Sequence, residues 1–132
     1  MRHSVFTAML AVCAISASCS SPTSPGTPEA FTIGLSQSAE YHELSVTFKE
    51  VVVDSRCPEE AFVLCIQGGD AFLRLGAATP RSAQQYDVQV LDPNRRRFVH
   101  ARYEVEVTGL EPKPFISGPI DPQDYRLSLL IK

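Results

Sequence analysis

Apolar and polar residues alternate along most of this chain, and this period of two constrains the fold more than any other feature. The longest run places five apolar residues on one face of a single predicted strand: Val99, Ala101, Tyr103, Val105 and Val107. Successive side chains of a strand point to opposite faces of a sheet, so the pattern is typical of strands buried on one face only. Helical periodicity is hard to find, and the sequence therefore predicts an all-β chain.

Shorter runs with the same alternation predict further strands at 31–35, 44–48, 71–75, 86–90 and 125–131. The alternation shifts by one residue after Phe48, because Val51 and Val53 take the apolar face where Glu50 is expected. Such a shift moves every later side chain to the other face, and it predicts a β-bulge near Lys49 and Glu50.

Proline-rich connections and short strands together predict the architecture. Four prolines between residues 111 and 123 exclude a central strand there and predict a long crossover connection. Six or seven short strands with one polar face each favour an antiparallel β-sandwich, immunoglobulin-like in general plan, with a small β-barrel as the alternative. The chain has no Trp, and its cysteines are too close in sequence to bridge two sheets, so the antibody-type pattern itself is missing.

The N-terminal residues predict export. A basic start and an apolar run over residues 5–15 are typical of a signal peptide, assigned to residues 1–18. The small residues before Cys19 make this segment resemble the lipobox of bacterial lipoproteins, in which the cysteine receives a lipid. Ser16 stands where that pattern usually has Leu, so ordinary cleavage to a soluble periplasmic or secreted form is the alternative.

The rest of the chain divides into a tether and one domain. Residues 19–29 are predicted to hold the lipidation site and a flexible Pro/Ser/Thr tether, and residues 30–132 a single β domain. Ser20 resembles the sorting pattern for the outer membrane, so the expected location is the cell envelope. The partners expected are the membrane, through the lipid anchor, and an envelope protein or surface polymer. A net charge of −3 gives no reason to expect nucleic acid, and no cofactor is predicted.

Cys57 and Cys65 are predicted to form a disulfide, because an exported compartment is oxidising. A zinc site is the competing interpretation. It lacks ligands, since His42 and His100 are the only histidines outside the signal peptide and neither is near the cysteines in sequence.

The segment from Asp54 to Asp70 has the densest cluster of unusual residues and is interpreted as a disulfide-stiffened recognition loop. Its candidate binding residues are Asp54, Arg56, Glu59, Glu60 and Asp70. One alternative is a stapled hairpin that binds nothing, in which Arg56 pairs with Asp54 or Asp70. Another is a calcium site formed by the four carboxylates, although their spacing is not that of a known calcium loop.

The segment from Asp54 to Asp70 also resembles a segment found in a known family of proteins. Its Asp-Ser-Arg-Cys-Pro stretch (54–58), the second cysteine and the glycine-rich turn at 68–69 are similar to a family of small uncharacterised bacterial secreted lipoproteins. The lead-in 31–53 and the closing segment 124–127 fit the same pattern, so the resemblance covers nearly all of the predicted domain. It implies export, the disulfide and a β fold, and it implies no biochemical activity.

No catalytic residues are predicted. The chain lacks a Gly-x-Ser-x-Gly motif, the two domain cysteines are expected to be oxidised, and His100 is interpreted as a solvated cross-strand partner of a glutamate. Glu104 and Glu106 share a strand face, but no Trp is available to bind a sugar. Three hypotheses follow: a non-catalytic binding or interaction module of the cell envelope, a structural accessory lipoprotein, and an exported peptidase inhibitor that uses Arg56 as bait.

Overall fold

The computed structural model describes residues 26–58, 60, 65, 68–115 and 117–132. These residues form eight strands: β1 (Glu29–Gly34), β2 (Ser38–Tyr41), β3 (Leu44–Asp54), β4 (Ala71–Thr79), β5 (Ser82–Gln89), β6 (Arg97–His100), β7 (Tyr103–Glu111) and β8 (Arg126–Ile131). A short 3-10 helix, Pro122–Asp124, precedes β8. No helix in this described part is long and apolar enough to cross a membrane. The predicted signal peptide, Cys19 and the tether as far as residue 25 lie outside the described residues.

Two antiparallel four-stranded sheets pack face to face, which confirms the predicted β-sandwich. The first sheet has the order β1-β8-β7-β6 and the second has the order β2-β3-β4-β5. The sheets are not closed into the small barrel that was the alternative. Within each sheet the chain runs between adjacent strands, and β1 completes the first sheet by pairing with β8. These connections are meanders, whereas immunoglobulin domains use Greek-key connections.

Side chains from the inner faces of both sheets form one core. Its fully buried members include Val46, Phe48, Leu73, Leu75, Val105, Val107, Leu127, Leu129 and Ile131. The apolar faces predicted for 71–75 and 125–131 are confirmed, because alternation along a strand that is buried on one face assigns its inner residues directly.

The prediction of a single strand over 99–107 was wrong. The chain turns at Ala101 and Arg102, so β6 and β7 form a hairpin in which His100 pairs with Tyr103. Ala101 adopts a positive φ of 53° in this turn. Residues 100 and 103 share a face, so the buried positions change from even to odd numbers across the turn. Val99, predicted to face the core, is 60% exposed.

The predicted β-bulge is confirmed. The register of β3 against β4 shifts between Phe48 and Glu50, as the alternation indicates. It shifts a second time between Val51 and Val53. This second shift was not predicted, and it leaves Val53 50% exposed instead of on the inner face.

The proline-rich connection is a long loop within one sheet and not the crossover that was predicted. It joins β7 to β8, which are antiparallel neighbours. Between these strands the described residues contain an isolated bridge between Phe115 and Gly118 and the short 3-10 helix. We call this segment, residues 112–125, the proline-rich loop.

The up-and-down course of the strands gives the sandwich two distinct ends. One end contains the start of β1, the turns at 42–43, 80–81 and 101–102, and Lys132; we call it the tether end. The opposite end contains the connections 35–37 and 90–96 and the described residues of the connection 55–70 and of the proline-rich loop; we call it the loop end. The nine residues of β4 run between them and span about 30 Å at about 3.3 Å per residue.

Candidate binding site at the loop end

A buried ion pair between Arg56 and Asp54 organises the loop end. The Arg56 side chain donates from Nε to Asp54 Oδ1 at 2.8 Å and from Nη2 to Asp54 Oδ2 at 2.7 Å. It also donates to the carbonyl oxygens of Leu110, at the end of β7, and of Pro112. Arg56 is 8% exposed. It therefore links the end of β3 to the end of β7, and this burial argues against its predicted role as a contact for a partner.

Tyr125 completes this cluster by donating its hydroxyl to Asp54 Oδ2 at 3.0 Å. Burial raises the pKa of Asp54, but the hydrogen bonds and charge of Arg56, together with the Tyr125 hydroxyl, outweigh burial and leave the pKa below its usual value. Burial raises the pKa of Tyr125, and the hydrogen bond and charge of Asp54 raise it further, to about 12. The pair is thus held as a carboxylate and a neutral phenol at neutral pH.

Alkaline pH should destabilise the protein through Tyr125. A pKa raised on folding stabilises the fold below the ordinary tyrosine value of 10.0, and this contribution is lost as the pH rises towards about 12. Tyr125→Phe should remove that pH dependence and cost about 1.5–3 kcal/mol at neutral pH, since it deletes a hydrogen bond to a charged acceptor. Denaturant unfolding at several pH values tests this. If the free energy of unfolding fell equally with pH in the two proteins above pH 10.0, Tyr125 would not be the source of the alkaline destabilisation.

Asp70 bonds to the backbone and not to Arg56. Its Oδ1 accepts from the amides of Ala71 at 2.7 Å and Leu91 at 2.8 Å, and its Oδ2 accepts from the amide of Asp92 at 3.2 Å. Asp70 therefore fixes the connection 90–96 against the start of β4. Its role in binding a partner stays a prediction.

The disulfide between Cys57 and Cys65 is present, with a Cα–Cα distance of 6.0 Å. Glu59, which was predicted to bind a partner, lies outside the described residues, as do 61–64 and 66–67. Glu60 is exposed and lies beside residues 111–115, with which it lines a shallow depression. The described residues contain no group of three or more His, Cys, Asp or Glu that is placed to hold a metal ion.

Two adjacent glycines at the neck of this loop provide a matched test of packing. A Cβ on Gly69 would lie 1.6 Å from the Ser55 carbonyl oxygen, whereas a Cβ on Gly68 would meet nothing within 4 Å. The backbone N–H of Ser55 donates a hydrogen bond to the Asp70 carbonyl oxygen at 2.9 Å, so the backbone of Ser55 has little freedom to move. We expect Gly69→Ala to cost about 1–3 kcal/mol and Gly68→Ala less than about 0.5 kcal/mol in denaturant unfolding. Equal losses in the two variants would contradict this close packing.

An open groove of about 550 Å³ lies between the end of β3 and the proline-rich loop. One wall is formed by residues 49–54. The facing wall contains Pro114, Phe115, Pro119, Ile120 and Pro122, with Tyr125 beside them. The groove is therefore mostly apolar and adjoins the Asp54–Arg56 ion pair.

Exposed apolar side chains concentrate at the loop end, where Val52, Val53 and Phe115 line this groove. Six large apolar residues are exposed in the described part of the chain, and five of them lie at the loop end: Val52, Val53, Phe72, Leu91 and Phe115. None of these five is among the binding residues that the sequence predicts. Two of them could have been identified from the sequence as exposed apolar residues, because Val52 interrupts the alternation of β3 and Phe115 is an aromatic residue among prolines.

His100 belongs to a second buried polar cluster, at the tether end. It is 3% exposed, with Nε2 3.0 Å from Ser82 Oγ and Nδ1 3.1 Å from the Tyr86 hydroxyl. The prediction that it is a solvated partner of a glutamate was wrong, because the hairpin turn places it on the inner face. Glu104 and Glu106 instead form ion pairs with Lys132 and Arg96.

Compared with protein-family models, with curated proteins and with solved structures, the chain gives no significant match in any of the three.

Proposed function

We propose that this protein is an exported, lipid-anchored, non-catalytic binding module of the bacterial cell envelope, and that it contacts its partner through the loop end. The observation that carries the proposal is the concentration of exposed apolar side chains there. Exposed apolar surface that is concentrated in one region is uncommon on monomeric proteins and marks interaction sites.

The direction of the chain supports this assignment. The first described residues lie at the tether end, where the Thr27 carbonyl accepts a hydrogen bond from the Tyr41 hydroxyl. A lipid on Cys19 would hold this end towards the membrane. The loop end then points away from the membrane by about the length of a nine-residue strand, roughly 30 Å, where a partner has access to it.

The internal bonds of the loop end suit it for recognition. Arg56 fixes the proline-rich loop to β3, Asp70 fixes the connection 90–96, and the disulfide closes the cysteine loop. A surface that is already ordered before binding loses less conformational entropy when it contacts a partner. The peptidase-inhibitor hypothesis receives no such support, because its bait residue, Arg56, is buried in an ion pair.

Site-specific photo-crosslinking in the native cells tests the proposal. A photoreactive residue at Val53 or Phe115 should crosslink to one and the same partner. The same residue at Val99 should not, although Val99 is also an exposed apolar side chain. Failure to crosslink from both loop-end positions, or equal crosslinking from Val99, would count against the proposed function.

A further inference from the structure

One edge of β3 is paired along only part of its length. β2 pairs with β3 from Leu44 to Thr47, and the last backbone bonds on that side join Phe48 to Ser36 and Gln37. Beyond that point β4 pairs with the other side of β3 as far as Asp54. Among the residues that the structure describes, no strand pairs with 49–54 on the side that β2 vacates. This open edge contains the two bulges of β3 and is at most about 20 Å long.

The groove runs along this open edge. Residues 49–54 form one of its walls, and the proline-rich loop forms the other. Three prolines of that loop, Pro114, Pro119 and Pro122, line the groove and have no backbone N–H to donate. The wall opposite the edge is therefore poorly suited to pair with β3, and space for another segment remains between them.

We propose that an extended polypeptide segment of the partner binds in this groove by adding a strand to the open edge of β3. Backbone hydrogen bonds to the edge supply affinity in this mode of recognition, and alternate side chains of the bound segment supply specificity. Val53 and Phe115 offer apolar contacts to those side chains. This inference rests on the proposed function and specifies the chemistry of the partner.

The charges of the groove define the segment further. Glu50 is paired with Arg74 at 3.2 Å, and Asp54 is paired with Arg56 at 2.7 Å. Lys49 has no ion pair within the described residues, but the end of its side chain lies over Gly76 of β4, on the outer face of the sheet and away from the open edge. The charged groups of the groove are therefore paired or directed away from the edge, and the bound segment should be uncharged and apolar at alternate positions.

Peptide selection followed by backbone methylation tests the proposal. Random heptapeptides displayed on phage are selected against the purified full chain, and the tightest binder is synthesised with N-methyl groups on one of its two sets of alternating residues. An added strand directs only one set of N–H groups at β3, so methylating that set should weaken binding at least tenfold, and methylating the other set should have little effect. Among residues 51–54, the amides that do not donate to β4 should also gain protection from hydrogen exchange.

Variants of the protein locate the site. Phe115→Ala should weaken the selected peptide several-fold, whereas Val99→Ala, at an exposed apolar side chain away from the loop end, should not. Equal effects of the two methylation patterns, or protection of amides elsewhere, would overturn strand addition. A concentration-dependent dimer in which amides of residues 51–54 are protected from hydrogen exchange would also overturn it, because a second copy of the chain would then occupy the edge.

The two proposals fail separately. A partner crosslinked from Phe115, together with peptides that are insensitive to methylation, would end strand addition and leave the proposed function standing. Absence of any crosslinked partner in the native cells would end the proposed function even if peptides bind the groove in vitro.

Discussion

Replacing Arg56 with methionine should lower the free energy of unfolding by about 3–5 kcal/mol, the typical loss when one partner of a buried ion pair is removed. Methionine retains much of the apolar stem. It leaves the Asp54 carboxylate buried without its counter-charge, and the carbonyl oxygens of Leu110 and Pro112 lose their donor. Denaturant unfolding of the two proteins measures the loss.

Arg74→Met is the matched control, because it removes an arginine with two carboxylate partners, Glu50 and Asp87, on the outer face of the same sheet. Its loss should be much smaller, since solvent screens exposed pairs. The double variant Asp54→Leu with Arg56→Met should recover part of the stability, because no unpaired buried charge remains. Similar losses for Arg56→Met and Arg74→Met would show that Arg56 does not anchor the loop end.

Phe48→Ala should lower the free energy of unfolding by about 3–5 kcal/mol, through lost burial and the cavity it leaves. Phe48 is 0% exposed and lies where the two sheets pack together. It also ends the pairing of β2 with β3 through its bonds to Ser36 and Gln37, so a shift here should disturb the start of the groove.

Phe115→Ala is the same chemical change on a side chain that is 52% exposed. It should alter stability by less than about 0.5 kcal/mol, because little packing is lost. The two phenylalanines should thus separate stability from binding: Phe48→Ala unfolds the protein more readily, and Phe115→Ala weakens the partner contact. A large loss of stability in Phe115→Ala would place this residue in the fold and not in a binding surface.

Patterns among neighbouring residues in the sequence predict which side chains of a strand face the core and where a strand is interrupted by a bulge. Alternation gives the inner faces of β4 and β8 and the first bulge of β3, since each follows from neighbouring residues. The β6–β7 hairpin could not be predicted from the alternation. Val99 and Ala101 are apolar although they do not face the core, so the alternation continues through the turn that reverses the chain.

The candidate site depends on contacts that no local pattern reveals. The sequence indicates that Arg56 pairs with a nearby carboxylate, but its carbonyl acceptors, Leu110 and Pro112, are 54 and 56 residues away. The groove exists because the four-residue strand β2 begins at Ser38, opposite Thr47, whereas β3 continues to Asp54. The unequal lengths of β2 and β3 depend on how β2, β3 and β4 pair with one another, and they cannot be predicted from the composition of a single segment.

The pairing of β1 with β8 has a mechanical consequence. Six residue pairs join these antiparallel strands, from Glu29 with Ile131 to Gly34 with Arg126, and their hydrogen bonds are perpendicular to the strands. A force that holds the chain at Glu29 and pulls on the proline-rich loop runs along both strands, so it shears all of these bonds together. A force between Glu29 and Lys132 peels them apart one after another from the tether end. The domain should therefore resist detachment by a partner pulling at the groove far better than it resists traction on its own C-terminal residue.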